Sequence, residues 1–166
     1  MKTLYPDAVV SSVYELTPEW LRERGILGLI LDIDNTLSAY GCERPEEHTV
    51  AFLEQMSAAG IKLVILSNGS HSRVQNYLAE RKIPYLSKAG KPLAKGFAWA
   101  RETLSLPAEQ IAVVGDQIFT DVLGGNRAGC FTILTEPFDK NEFWFVRFKR
   151  LFERRFRRVR DGKNLH

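Results

Sequence analysis

Residues 25–40 read GILGLILDIDNTLSAY. The apolar run that closes at Leu31 predicts a buried strand, and Asp32 and Asp34 follow its carboxyl end. Carboxylates two residues apart in extended chain project to the same side. Two negative charges in one crevice repel each other unless a cation offsets them. The stretch therefore predicts a strand that delivers acid groups to a charged site, with partners to be found elsewhere in the chain.

Further apolar, β-branched runs fall at 61–66, 84–86, 111–114 and 131–134, with helical patterns over 46–59, 72–81, 93–104 and 120–127. Thr17, Pro18 and Glu19 supply an N-cap, a first-turn proline and a first-turn acid for an earlier helix that stops by Gly25. Gly60 closes the helix before the second strand, and Pro107 follows the helix before the fourth. Short apolar strands separated by single helices predict an α/β fold, a doubly wound parallel sheet covered on both faces.

In such a sheet ligands bind beyond the carboxyl ends of the strands. That rule gathers Asp32 and Asp34, Ser67 and Asn68, and Asp116 and Asp121 of VVGDQIFTD at one rim. AGKPLAKGF adds Lys91 and Lys95 after the third strand. Clustered carboxylates call for a hard divalent ion with oxygen ligands, for which Mg²⁺ is the expected occupant. Gly115 lets the backbone approach closely. The Ser67 hydroxyl and the amides of residues 67–70, leading into a helix, form a candidate oxyanion cradle. A cation, a cradle, a lysine and a carboxylate nucleophile together predict phosphoryl transfer. Asp32 attacks phosphorus, Asp34 protonates the leaving alkoxide and then deprotonates water, and Mg²⁺ with Lys91 draws in the dianion. Each piece is common by itself; four pieces in order, each after its own strand, are specific.

DIDNT, SN, KP and GDQIFTD resemble, in that order, the four motifs of the haloacid dehalogenase (HAD) superfamily, over about residues 26–135. The resemblance implies a HAD-like Rossmannoid fold, with Asp32 as nucleophile and Asp34 as acid/base whose backbone carbonyl also touches Mg²⁺. Ser67, Asn68 and Lys91 would hold phosphate, and Asp116 would ligate Mg²⁺ with Asp121 in support, giving a metal set of Asp32, Asp34, Asp116 and Asp121. Thr36 reads as a turn stabiliser. Lys95, one helical turn on, competes with Lys91, and the KP pairing favours Lys91. LTPEWLRERGILGLILDIDNTL, KAGKPLAKGF and GDQIFTDVLGGNRAG are in turn similar to the YqeG group of subclass IIIA, itself similar to the mitochondrial phosphatidylglycerophosphate phosphatases. That likeness implies a phospholipid headgroup substrate and phosphatidylglycerol as product.

A chain of 166 residues, 45% hydrophobic and 26% charged, suits one soluble domain spanning 1–166. No apolar run approaches the ~18 residues of a membrane span, and MKTLYPDAVV lacks the apolar core of a secretory signal, so the expected location is cytoplasmic. Cys42 and Cys130 show no metal-ligand spacing, and His48, His71 and His166 lie far apart. The net charge of +3 is uneven: residues 140–166 hold ten Lys/Arg and three Asp/Glu, a local +7 that leaves −4 for the rest. There, a basic amphipathic helix is expected over about 141–160. Phe145, Phe148, Phe152, Phe156 and Val159 share one face, and Arg147, Arg150, Arg154, Arg157 and Arg158 the other. It either packs its apolar stripe on the sheet or lies in an anionic membrane surface at the inner face of the plasma membrane as a peripheral element. Tyr40 and Arg44, in the loop SAYGCERPEE, sit near the expected rim.

The spacing between motifs leaves no room for an inserted cap domain, so the site is expected to be open and to take phosphate carried on a large body. Three readings follow: a phosphatidylglycerophosphate phosphatase, a capless phosphatase for phosphoproteins or soluble phosphomonoesters, and an RNA- or ribosome-binding protein acting through the arginine helix. The catalytic set and the lack of a known RNA-binding module speak against the third, so no nucleic-acid partner is expected.

Overall fold

The computed structural model describes residues 4–79 and 81–138. The helix expected over 141–160 lies outside the described residues. Six strands, β1 (Ala8–Val10), β2 (Gly28–Leu31), β3 (Lys62–Leu66), β4 (Tyr85–Leu86), β5 (Ile111–Gly115) and β6 (Phe131–Thr135), form one parallel sheet in the order β1-β6-β5-β2-β3-β4. The helices are α1 (Pro18–Arg22), α2 (Glu47–Ala58), α3 (His71–Leu78), α4 (Ala94–Leu104) and α5 (Leu123–Arg127).

Side-chain alternation along the central strands sorts the core into two layers. Leu29 and Leu31 of β2 and Leu63 and Ile65 of β3 pack with Phe52, Leu53 and Met56 of α2 and with Val74, Tyr77 and Leu78 of α3. Ile30, Val64, Leu66 and Val113 face the other way, against Phe97, Ala100 and Leu104 of α4. With helices on both faces the central strand β2 lies wholly inside, which is why it reads GLIL without a polar alternate. The chain winds outward from β2 through β3 to β4, then returns to place β5 on the other side of β2. The β2–β5 boundary is thus the switch point at which a crevice opens.

The expected caps form: Thr17 Oγ1 accepts from Trp20 N–H at 3.1 Å, and Gly25 and Gly60 adopt φ of 71° and 81°. Two features differ from expectation. β1, a three-residue strand that among the described residues pairs only with β6, is too short to register as an apolar run. The helix expected over 120–127 starts instead as a π-helical turn, Ile118–Val122, and turns α-helical at Leu123. A Cβ at Gly124 would stand 2.1 Å from the Phe97 ring, so that helix needs glycine to pack on α4. Among the described residues, the β2-to-β3 crossover holds a loop and α2, and the β3-to-β4 crossover holds α3. Neither carries an inserted domain, and no described helix is long and apolar enough to cross a membrane.

Candidate active site

Asp32 extends β2 by one ladder bond, its N–H donating to Val114 O at 3.1 Å. Asp116 directly follows β5, and the π turn folds Asp121 back over Gly115. The fold-back requires that glycine, because a Cβ there would stand 2.2 Å from the Asp121 carboxylate. Asp32, Asp116 and Asp121 are all buried, and each offers a carboxylate oxygen within 4.8 Å of the others.

Lys91, only 8% exposed, joins this cluster: its Nζ donates to Asp32 Oδ1 at 2.9 Å and to Asp121 Oδ1 at 2.7 Å. Burial pushes the Asp32 carboxyl up to about 7 against the pull of Lys91, and Asp121 adds to the rise. Burial also opposes the Lys91 ammonium, yet Asp121 and Asp32 outweigh it and hold the amine above its ordinary range. The lysine is the firm charge of the cluster. Three buried carboxylate oxygens within 4.8 Å of one another suit a divalent cation with a preference for oxygen. The donor chemistry fits such an ion.

Asn68, beyond β3, secures the lysine from behind. Its Oδ1 accepts from the Lys91 backbone N–H at 2.9 Å, and its Nδ2 donates to Lys91 O at 3.5 Å. Lys95 is exposed on α4, so Lys91 alone of the two enters the cluster. Ser67 is fully buried; its N–H closes the strand ladder on Leu86 O, and its Oγ accepts from Gly69 N–H at 3.0 Å. Two of the four amides proposed as an oxyanion cradle, those of Ser67 and Gly69, are therefore committed within the protein. Thr36 N–H donates to Ile33 O inside the turn that follows β2.

The structure does not leave the Asp34 side chain with the other three. Arg73 of α3 takes it in a two-pronged ion pair, Nη1 donating to Oδ2 at 2.6 Å and Nη2 to Oδ1 at 2.5 Å. Gly41 N–H adds a bond to Oδ1 at 3.2 Å. Sequence reasoning missed Arg73, whose only signal is its position as third residue of the helix after SNGS. Asp32, Asp34, Asn68, Arg73 and Lys91 line one open cleft of about 1460 Å³ that also reaches Tyr40, Arg44 and the exposed side of α3. Tyr40, 70% exposed, stands on its rim.

Buried carboxylates and a buried lysine at a switch-point crevice are a donor set suited to handling phosphate. The chain matches the haloacid dehalogenase-like hydrolases over residues 17–129, belongs to that family and is one of its phosphatases. It is 40% identical over 154 residues to the Probable phosphatase YqeG of Bacillus subtilis (strain 168), covering 93% of this chain and 90% of the relative. It is 30% identical over 152 residues to the chloroplastic phosphatidylglycerophosphate phosphatase 1 of Chlamydomonas reinhardtii, covering 77% of this chain and 56% of that protein. The chain thus spans little more than half the length of that relative. In fold it is similar to the cobalt-bound deoxy-D-mannose-octulosonate 8-phosphate phosphatase YrbI of Haemophilus influenzae. The TM-score is 0.56 at 16% identity, over 76% of this chain and 75% of that one.

Proposed function

We propose that the protein is a Mg²⁺-dependent phosphomonoesterase that removes the terminal phosphate of phosphatidylglycerophosphate at an anionic membrane surface. The three buried carboxylates of Asp32, Asp116 and Asp121, each offering an oxygen within 4.8 Å of the others, carry the chemical part of this reading. Asp32, Asp116 and Asp121, with the Asp34 backbone carbonyl, would hold Mg²⁺, which supplies Lewis-acid neutralisation of the phosphate dianion.

Asp32 attacks phosphorus in line; the P–O bond to the alcohol breaks, and a carboxyl–phosphate bond forms on Asp32. In this reading Asp34 enters the step protonated, released from its ion pair with Arg73, and would give that proton to the departing alkoxide. A water then attacks the phosphorus of phospho-Asp32, Asp34 takes the water proton, and inorganic phosphate leaves with Asp32 restored. Lys91 holds a phosphoryl oxygen throughout, and Asn68 keeps the lysine in register. Ser67 contributes its hydroxyl proton as a further donor.

For the substrate, the support is the absence of an inserted domain among the described crossovers, the open cleft and likeness to a protein named for phosphatidylglycerophosphate. The ten basic residues of 140–166 suit an anionic surface. Purified protein and its Asp32→Asn variant, assayed with Mg²⁺ or EDTA on phosphatidylglycerophosphate in vesicles, on a phosphoserine peptide and on glycerol phosphate, decide the matter. Metal-dependent turnover of the lipid, lost in Asp32→Asn, is expected. A preference for the peptide or the soluble ester would sink the lipid assignment while leaving the chemistry intact.

A further inference from the structure

Among the described residues five large apolar side chains are exposed, two of them far more than the rest. Tyr40 is 70% and Leu93 67% exposed, against 42% or less for Tyr5, Leu27 and Phe138. Single exposed apolar residues are ordinary on a protein surface; the placement of these two is not. Tyr40 lies in the loop that leaves β2 and lines the cleft. Leu93 lies in the loop that leaves β4, two residues past Lys91, whose ammonium reaches Asp32. These two strands flank β3, whose end supplies Asn68 to the same cleft. Both side chains thus belong to the rim on which the site opens.

Local structure does not account for Leu93. It is the N-cap of α4 and makes no side-chain cap bond, at a position where leucine ranks among the poorest residues and serine among the best. Charge is also one-sided here: residues 81–101 hold six Lys/Arg and no Asp or Glu. Lys88 and Lys95, before and after Leu93, are both exposed. The loop of Tyr40 sets Glu43 and Glu46 against Arg44, so it contributes a ring and a hydroxyl instead of net positive charge. Arg73 Cζ lies 5.9 Å from that ring's centroid, which steadies it at the cleft mouth.

The geometry points to this rim as a membrane-docking face: Tyr40 and Leu93 enter the interface of an anionic bilayer, and Lys88 and Lys95 meet its headgroups. A tyrosine suits the boundary between hydrocarbon and water, an aliphatic tip gains by leaving water, and lysines are drawn to an anionic leaflet. Two tips on separate loops offer no contiguous apolar centre of the kind a protein interface buries, whereas a bilayer accepts each tip by itself. So oriented, the cleft receives a terminal phosphate while the acyl chains stay in the membrane. The inference rests on the phospholipid reading of the substrate given above.

Flotation of the full chain with phosphatidylcholine vesicles, with and without phosphatidylglycerol, tests it. Leu93→Ser should lower partitioning onto the anionic vesicles ~10-fold, the loss expected for one aliphatic side chain. Serine is the better N-cap, so this variant should melt no lower than the parent. Leu93→Trp should raise partitioning and add a blue shift of tryptophan emission on vesicle addition, beyond that of the parent. Leu27→Ser removes an exposed leucine from the opposite, amino end of β2 and should change nothing. The basic residues of 140–166 remain in every variant, so ratios to the parent isolate the rim. In Leu93→Ser, kcat/KM for phosphatidylglycerophosphate in vesicles should fall in step with binding, while that for dissolved glycerol phosphate stays within ~2-fold, as for other surface changes. Equal partitioning by Leu93→Ser and Leu27→Ser, with the lipid still hydrolysed, would overturn the docking face alone. A defect of Leu93→Ser confined to a phosphoserine peptide would replace the bilayer by a protein partner. A parent that hydrolyses the lipid in no form would overturn the substrate reading and this inference with it.

Discussion

Replacing Gly115 by alanine tests the geometry on which the carboxylate cluster depends. The new Cβ would stand 2.2 Å from Asp121 Cγ and Oδ2 and 2.5 Å from its Cβ, where ordinary contact begins near 3.4 Å. Asp121 must retreat by about 1.2 Å, the difference between those two separations. A displacement of that size disturbs the carboxylate whose Oδ1 accepts from Lys91 Nζ at 2.7 Å. Overpacking a filled site costs about 1–3 kcal/mol, and losing a charged hydrogen bond about 1.5–3 kcal/mol. The two share one side chain and do not simply add, so the expected loss is about 3 kcal/mol. For a chain of this size, each 1 kcal/mol lowers Tm by about 2–4 °C, giving a fall of roughly 10 °C. The assay is thermal unfolding in EDTA together with phosphatase turnover, which should drop because the contact of Asp121 with Lys91 is disturbed. Gly115→Ala/Asp121→Gly removes every Asp121 side-chain atom that meets the new Cβ and should regain the stability of Asp121→Gly alone, without regaining turnover. A single variant that melts within a degree or two of the parent, or a double variant no more stable than the single, would refute the reasoning.

Two further outcomes follow from the charges. The Asp32 carboxyl is raised by burial from 3.8 to about 7, so between these values the folded chain holds a proton that the unfolded chain has released. As far as this group decides, metal-free protein should hold its full stability at and below about pH 4 and lose it as pH climbs toward 7; saturating Mg²⁺ should flatten that decline in melting scans. Lys91→Met removes the one ammonium bonded to Asp32 and Asp121, and stranding buried charge costs about 3–5 kcal/mol. Lys95→Met, on an exposed position, should stay within about 0.5 kcal/mol of the parent with full turnover of glycerol phosphate; a reversed pattern in denaturant and activity assays would reassign the lysine.

The central strands were legible because each is buried on both faces and therefore written as an unbroken apolar run, GLIL in β2 and IAVVG in β5. β1 was not, because three residues carry no period. The π turn at Ile118–Val122 was invisible for another reason: it is set by the fold-back of Asp121 onto Gly115, a contact made in three dimensions and not by local propensity. Among candidate site residues, the acids announced themselves by their place after strands. Lys91 was separable from Lys95 by its proline neighbour, and burial now separates them physically. Arg73 offered no comparable mark, since an arginine in the first turn of a helix ordinarily faces water.

The same contrast explains how one rim tolerates so many acids. Four carboxylates within a few residues of two strand ends would repel strongly if left together. The chain divides them instead. Lys91, delivered from beyond β4 and gripped by Asn68, serves Asp32 and Asp121 inside the crevice. Arg73, delivered from α3, serves Asp34 at the cleft wall. The inner set brings three carboxylates together around one ammonium, whereas the outer set pairs one carboxylate with one guanidinium. A lysine at position 73 would balance the charge equally well but would leave the carboxylate free to rotate toward the crevice. The paired donors of a guanidinium hold its plane.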